Sequence, residues 1–405
     1  MRTTAAQRTR IVTSRQFVLF ACGFRPFFLL AGFDALVNMI VWLAAFLDPD
    51  LWPARALPAM YWHAHEMLFG FAAAAITGFL LTAVPGWTGR TSYSGAPLIS
   101  LIALWLAGRI AMIPLGLLSP LAANAIDLAF FPVMIAVLAP PLVQARKFRN
   151  LPFIGILALL FLADLCFHLG ASGVLAGGEQ IGLGIAIDIV MILIVIIGGR
   201  IIPAFTKSGL ARHGIEVRLP ANRWIDILAI AAIVAILLGD LLMPLSTANG
   251  VIALIASVAQ TIRLVRWHGH RTARDPLIWV LHLGYAWLAT GLLLKAMWLL
   301  GAAPFAEKWI HALTVGAFAT MILAVMTRAS LGHTGRALIA RVNVAACYVF
   351  ISVSALLRVF APAVFPARYE TIVTASALFW IAAFGMFLMI FVPILTNPRP
   401  DGRPG

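Results

Sequence analysis

Charge is what this chain has least of. Only 11% of its 405 residues are Asp, Glu, Lys or Arg, while 62% are hydrophobic and the mean hydropathy is +0.99. A soluble domain usually carries about 25% charged residues, and no water-soluble fold of this length buries so much apolar side chain. Cysteine is almost missing as well. Cys22, Cys166 and Cys347 lie far apart in apolar runs, with no C-x-x-C between them. That excludes a zinc ribbon, a redox pair and covalent haem attachment, and leaves the three as small buried hydrophobes. There is no Walker loop and no nucleophile elbow. His65-Glu66 does not extend to the zinc-protease pattern, because the residue three after Glu66 is Phe69. Acidic residues are scarce too, 15 against 29 Lys and Arg, giving a net charge of +14. The basic residues sit in short stretches between apolar runs, so no soluble basic domain exists to meet a nucleic acid.

What the sequence does have is long apolar runs. A spanning helix needs about 20 mostly apolar residues, and twelve such runs can be counted. They cover 24–46, 61–83, 97–118, 122–143, 151–172, 181–202, 224–242, 249–267, 277–300, 307–328, 338–359 and 370–394. Breakers separate them at Asp48-Pro49, Pro85-Gly86, Pro140-Pro141, Gly177-Gly178, Pro220, Pro244, Pro304 and Pro366. Runs this long are helices rather than barrel strands, because backbone polar groups in lipid must be satisfied internally. The expected fold is therefore an all-α membrane protein of about twelve transmembrane helices, one transmembrane domain over 1–405. The N-terminal apolar run is span-length with no A-x-A-like cleavage site, which reads as an uncleaved first helix.

The loops set the orientation. Arg2, Arg8, Arg10 and Arg15 at the N-terminus, every second loop, and Arg399 and Arg403 together hold 22 of the 29 Lys and Arg. The other side holds Arg55, Lys308, Arg358 and Arg368, and Arg25, Arg109 and Lys295 fall within spans. The positive-inside rule then puts both termini in the cytoplasm, with cytoplasmic tails at 1–16 and 396–405.

Helices two and ten share a pattern. His65, Gly70 and Gly86-Trp87-Thr88-Gly89-Arg90 match His311, Gly316 and Gly332-His333-Thr334-Gly335-Arg336, all displaced by 246 residues. Half that displacement from His65 leads to Asp188 in helix six. Arg25-Pro26, Arg149 with Pro152, and Arg274 with Pro276 recur at similar spacing. The pattern suggests three four-helix repeats, 17–143, 144–267 and 268–395, with His65, Asp188 and His311 in equivalent places.

Ionisable groups inside a bilayer cost roughly 2.5–3.5 kcal/mol each on insertion scales and usually face a bundle interior or a site. Here they gather at the outer ends of the helices: His63, His65 and Glu66; Asp164 and His168; Asp188; Lys295; His311. Arg109 and Asp34 read as mid-helix, and His282 lies towards the inner side. Neutral imidazole suits iron and copper, and haem iron takes axial histidines from facing helices. The candidate metal ligands are thus His63, His65, His168, His282 and His311. His63 and His65 lie about 200° apart around a helix and cannot both face one metal. The repeat favours His65 with His311. Arg109, Arg55 and Lys308 are candidates for haem propionates, or simple interface anchors. His213, His268, His270 and His333 fall in basic loops and read as solvated.

Several strings resemble the NnrS family of bacterial membrane proteins. They are Cys22-Gly23-Phe24-Arg25-Pro26-Phe27-Phe28, Trp62-His63-Ala64-His65-Glu66-Met67, Gly78-Phe79-Leu80-Leu81-Thr82-Ala83-Val84-Pro85 and Phe167-His168-Leu169-Gly170. Gly199-Arg200-Ile201-Ile202-Pro203-Ala204-Phe205-Thr206, His282-Leu283-Gly284-Tyr285-Ala286-Trp287 and Arg328-Ala329-Ser330-Leu331-Gly332-His333-Thr334-Gly335-Arg336 complete the set. The resemblance implies a haem- and copper-containing bacterial inner-membrane protein associated with denitrification and protection from nitric oxide stress. The architecture is also similar to the large subunit of haem-copper oxidases, where histidines on helices two and ten hold a low-spin haem near the outer face. Helices six and seven here lack the histidines of the second copper, so an oxidase-type dinuclear centre is not expected.

The leading expectation is haem b held by His65 and His311, with Arg109 beside it and copper near His63 and His168. Its rivals are a quinol-dependent nitric oxide reductase, a metal-free secondary transporter, and a sensor or assembly factor docking through a basic loop at 203–223.

Overall fold

The computed structural model describes residues 18–53, 57–146, 148–219 and 222–403. The tail 1–16 with its four arginines, Arg55, Lys147 and Pro220 lie outside the described residues, as do residues 404–405. Among the described residues there is no strand, and twelve long helices carry the fold. These are α1 Phe24–Leu47, α2 Ala59–Thr88, α3 Ala96–Ala111, α4 Pro120–Gln144, α5 Phe148–Ala171, α6 Gly178–Arg212, α7 Arg223–Leu242, α8 Thr247–Arg266, α9 Pro276–Leu299, α10 Phe305–His333, α11 Val342–Val364 and α12 Pro366–Thr396. All but α3 are long and apolar enough to cross a membrane. The chain is a multi-pass membrane protein. We call the end of the bundle where α1 begins proximal and the end where it finishes distal.

Five expectations need correction. The third span is a helix of only 16 residues, ending before Pro114 and before Gly116, which takes a positive φ of 64°. Arg109 therefore stands in the last turn at the distal end rather than mid-helix. Pro85 does not end α2, which continues to Thr88; a proline in the final turn removes a single ladder bond, which the helix tolerates. Pro140 and Pro141 likewise lie inside a helix that runs on to Gln144. The first half of the basic loop 203–223 is helical too, because α6 extends through Pro203 to Arg212. At 35 residues this helix is about 52 Å long and overshoots a ~30 Å hydrocarbon core.

Association of helices in lipid rests on close packing and hydrogen bonds rather than on a hydrophobic drive. The contact of α5 with α6 shows how glycine permits it. A Cβ on Gly182 would lie 2.4 Å from the Ala163 carbonyl oxygen, and one on Gly178 would lie 2.5 Å from that of Cys166. The last helix returns to the first. Trp380 Nε1 donates to the Ala35 carbonyl at 2.8 Å, and Gly32 admits the Phe387 ring. Arg25, fully buried, donates Nη1 to the carbonyls of Leu395 (2.7 Å) and Asn397 (3.1 Å). A cation thus satisfies orphan carbonyls where the α12 dipole is negative. The segment after α12 folds back as well, with Arg399 donating to the His333 carbonyl at 2.8 Å and pairing with Asp401, whose carboxyl it holds below the usual carboxylate range.

The displacement of 246 residues is also visible in the backbone. π-helical segments begin directly after His65, at Glu66–Ala72, and directly after His311, at Ala312–Ala319. Gly89 and Gly335 both adopt left-handed φ near 70°. Thr88 donates to the Val84 carbonyl at 2.8 Å, as Thr334 does to that of Ser330 at 2.6 Å. The middle inward helix, α6, shares the left-handed glycine after its end (Gly214) but has no π segment.

Because the Gly182 contact is with backbone, Gly182→Ala should push α5 and α6 apart and cost about 1–3 kcal/mol, as overpacking does. A lowered thermal midpoint in mild detergent is expected; an unchanged one would show that the helices yield freely.

Candidate metal centre

Five helices bring their ionisable residues to one pocket at the distal end. His65 and Glu66 come from the start of α2, where the α-helix gives way to the π segment. Such segments often mark functional sites, since the extra residue redirects side chains. Arg109 comes from the last turn of α3, Asp127 from the second turn of α4, and Asp34 from α1. Asp164 and His168 come from α5, four residues apart and so on one helix face.

His65, Asp127, Asp164 and His168 are all buried, and one ligand atom of each lies within 4.8 Å of all the others. His65 Nε2 stands 3.0 Å from Asp164 Oδ1 and 3.2 Å from Asp127 Oδ2. His168 Nε2 stands 3.0 Å from the same Asp127 oxygen and 3.5 Å from the same Asp164 oxygen. Ligand atoms at about 2.0–2.2 Å from a metal are themselves about 3.0–3.5 Å apart at the corners of a tetrahedron or octahedron. All four imidazole–carboxylate separations have that spacing.

The second ring nitrogen of His65 sharpens the point. Nδ1 lies 3.1 Å from Glu66 Oε1, a carboxylate that accepts only. A neutral imidazole that donates through Nδ1 turns the lone pair of Nε2 towards two carboxylate oxygens. That arrangement is repulsive unless a cation lies between them, the ring is protonated twice, or one of the two carboxyls carries a proton. A carboxylate behind a ligating histidine is also the usual support of a metal site.

Arg109 holds the carboxylates from behind. Its Nη1 donates to Glu66 Oε1 at 2.7 Å and its Nη2 pairs with Asp127 Oδ1. Two glycines make room for these groups. A Cβ on Gly70 would lie 2.4 Å from Asp34 Oδ2 and 3.2 Å from Arg109 Nη1, and one on Gly108 would lie 2.8 Å from Asp127 Oδ1. Phe69, Phe167 and Phe131 wall the pocket.

The remaining sequence candidates separate into other places. His63 faces away from His65 and stacks on Trp42, ring centroids 4.7 Å apart; its Nδ1 is buried with no hydrogen-bond partner. Its electrostatic neighbours are His311 and Arg358. The structure thus brings His65 to His168, and sets His63 within electrostatic reach of His311 and Arg358. Arg358 also has a buried Nη1 that lacks a partner. His282 lies towards the proximal end, its Nε2 2.9 Å from the Thr206 hydroxyl and its ring against Gly269. Arg109 is engaged by carboxylates. Asp188, which lies 123 residues after His65, joins Asp240, Asn249 and Lys295, with Lys295 paired to Asp240.

Sequence reasoning missed Asp127. It is an acid within an apolar span, the signal that singled out Asp34, Asp164 and Asp188, but it has no histidine beside it in sequence to draw notice.

The family model described as NnrS protein matches residues 18–399. No curated protein matches the chain.

Replacing Arg109 by Gln leaves Glu66 and Asp127 buried without a counter-charge and should cost about 3–5 kcal/mol. Adding Asp127→Asn should recover part of that loss. Unfolding of both single variants and the double variant in detergent measures the coupling, and strict additivity would refute it.

Proposed function

Because the chain belongs to the NnrS family, we propose that it is a haem- and copper-containing protein of the bacterial inner membrane that serves nitric oxide metabolism or tolerance, in the setting of denitrification. The observation that carries the metal part is the convergence of His65 and His168 Nε2 on shared oxygens of Asp127 and Asp164, with Glu66 behind His65. Two imidazoles and two carboxylates form an N,O donor set that suits Cu(II), and also non-haem iron. Copper is the reading favoured by the resemblance. A metal there supplies a redox-active Lewis acid; the protein supplies the ligands, holds them with Arg109 and Glu66, and keeps the pocket dry with phenylalanine.

Haem b then belongs at the other pair, His63 and His311, on the two helices that the sequence reading chose. The orphan Nδ1 of His63 and the orphan Nη1 of Arg358 support this. An imidazole and a guanidinium, each with one buried nitrogen unpaired, suit a ligand that carries a metal centre and a carboxylate together. This assignment exchanges the roles of His63 and His65. In it Arg358, rather than Arg109, meets a propionate.

Both termini face the cytoplasm in this reading, so the metal pocket lies near the outer face. The domain is one transmembrane unit of three four-helix repeats, with the lipid bilayer as its solvent.

The test is purification in mild detergent with copper and iron by elemental analysis and a reduced-minus-oxidised spectrum. His65→Ala and His168→Ala should lose copper, by tenfold or more, and keep the haem signal. His63→Ala and His311→Ala should do the reverse. Loss of haem in His65→Ala but not in His63→Ala would restore the pairing of His65 with His311. A wild type that holds neither metal after haem-supplemented expression would sink the proposal and leave a doubly protonated histidine cluster, as a metal-free transporter would have it.

A further inference from the structure

An apolar cavity with about 80 Å³ of room, partly open to its surroundings, lies where α1, α2, α6 and α10 meet. No polar or charged side chain lines it. Its walls follow the repeat. Ala75 and Met321, Ile76 and Ile322, and Phe79 and Val325 line it as pairs, each 246 residues apart, and α6 supplies another side. The cavity therefore lies between the inward helices that the repeat equates, in the part of α2 that follows the π segment.

One water needs only about 10–15 Å³ of such space, so room is not limiting here. Water also needs two to four polar partners, and the walls offer none, so this apolar space disfavours water and suits xenon or small hydrocarbons, as enclosed apolar cavities do. Small apolar gases dissolve in the hydrocarbon around the protein, so they need no polar route to reach such a site. Ala75 is ten residues from His65 along the same helix, about 15 Å.

We infer that this cavity is a binding site for a small apolar gas, and that in this protein the gas is nitric oxide, held close to the metal pocket. The identity of the gas rests on the nitric oxide reading above; the existence of a gas site does not.

Val325 offers a clean variant, because its repeat partner is Phe79. Val325→Phe fills the space with a side chain that the matching wall already carries. Ile322→Ala enlarges it. The experiment is ¹²⁹Xe NMR on the purified, full-length protein in detergent, with empty micelles as the blank. Saturable xenon binding is expected in the wild type, weakened at least fivefold in Val325→Phe and retained in Ile322→Ala. No saturable binding in the wild type, or equal binding in Val325→Phe, overturns the site. Nitric oxide should then displace xenon in His65→Ala as well as in the wild type. Displacement that requires an intact metal pocket would overturn the assignment of nitric oxide to the cavity. Metal analysis of the same samples reports separately on the metal centre, so either idea can fail alone.

Discussion

A guanidinium in the last turn of a 16-residue helix, with lipid along one side of that helix, must find its counter-charges inside the protein. Arg109 finds them in Glu66 and Asp127. Most of the distal pocket follows from this. The two carboxylates draw α2 and α4 to α3. Asp127 then presents its other oxygen to both imidazoles, and Asp164 and His168 bring in α5. Glycine at 70 and 108 is the steric condition for the arrangement, since a methyl group at either position would occupy space taken by a carboxylate. The pocket is anionic with one fixed cation. It is therefore built to take further positive charge, as metal or as protons.

The same cost of burying charge is met differently elsewhere at the distal end. Between α6, α7, α8 and α9 a lysine supplies the cation, with Lys295 paired to Asp240 beside Asp188. Beside α1, α10 and α11, two imidazoles and an arginine lie within electrostatic reach of one another, with Glu307 acting on Arg358, and two of their buried nitrogens lack partners. One pocket is overall acidic, one carries its own ammonium, and one is rich in donors. Three clusters at one end of the bundle thus hold different chemistry.

Much of this was legible beforehand. Helix number and most of the ends follow from apolar run length, because lipid leaves the backbone no alternative to helix; α2, α3, α6, α10 and α11 end four or more residues from the run. The histidines and acids at similar depth announce a site, since charge in hydrocarbon is rarely placed without purpose. What periodicity could not give is which neighbour each side chain meets. His63 and His65 were correctly separated by the helical angle, but which faces α5 and which faces α10 depends on how α2 is rotated in the bundle. That rotation is influenced by the π segment at Glu66–Ala72, which no spacing of residue types announces. Asp127 was missed for a similar reason. Its partners, Arg109 and His168, are 18 and 41 residues away in sequence and meet it only through the packing of α3, α4 and α5. The third span was overestimated because the apolar residues after Ala111 continue the hydropathy although the helix stops.

That early stop has a consequence for the lipid. Sixteen residues give α3 a length of about 24 Å, some 6 Å less than a typical hydrocarbon core. Its outward side chains, Ile99 and Leu106 among them, are nonetheless apolar, and Leu115, Leu117 and Leu118 beyond the helix end are exposed as well. Lipid beside α3 must either draw inward or rest on this leucine-bearing turn, at a fraction of a kcal/mol per ångström of mismatch. Where the lipid draws inward, the membrane is pinched on the flank of the molecule where Arg109 stands, and headgroup water comes nearer to the histidine–carboxylate pocket there than along the full-length helices.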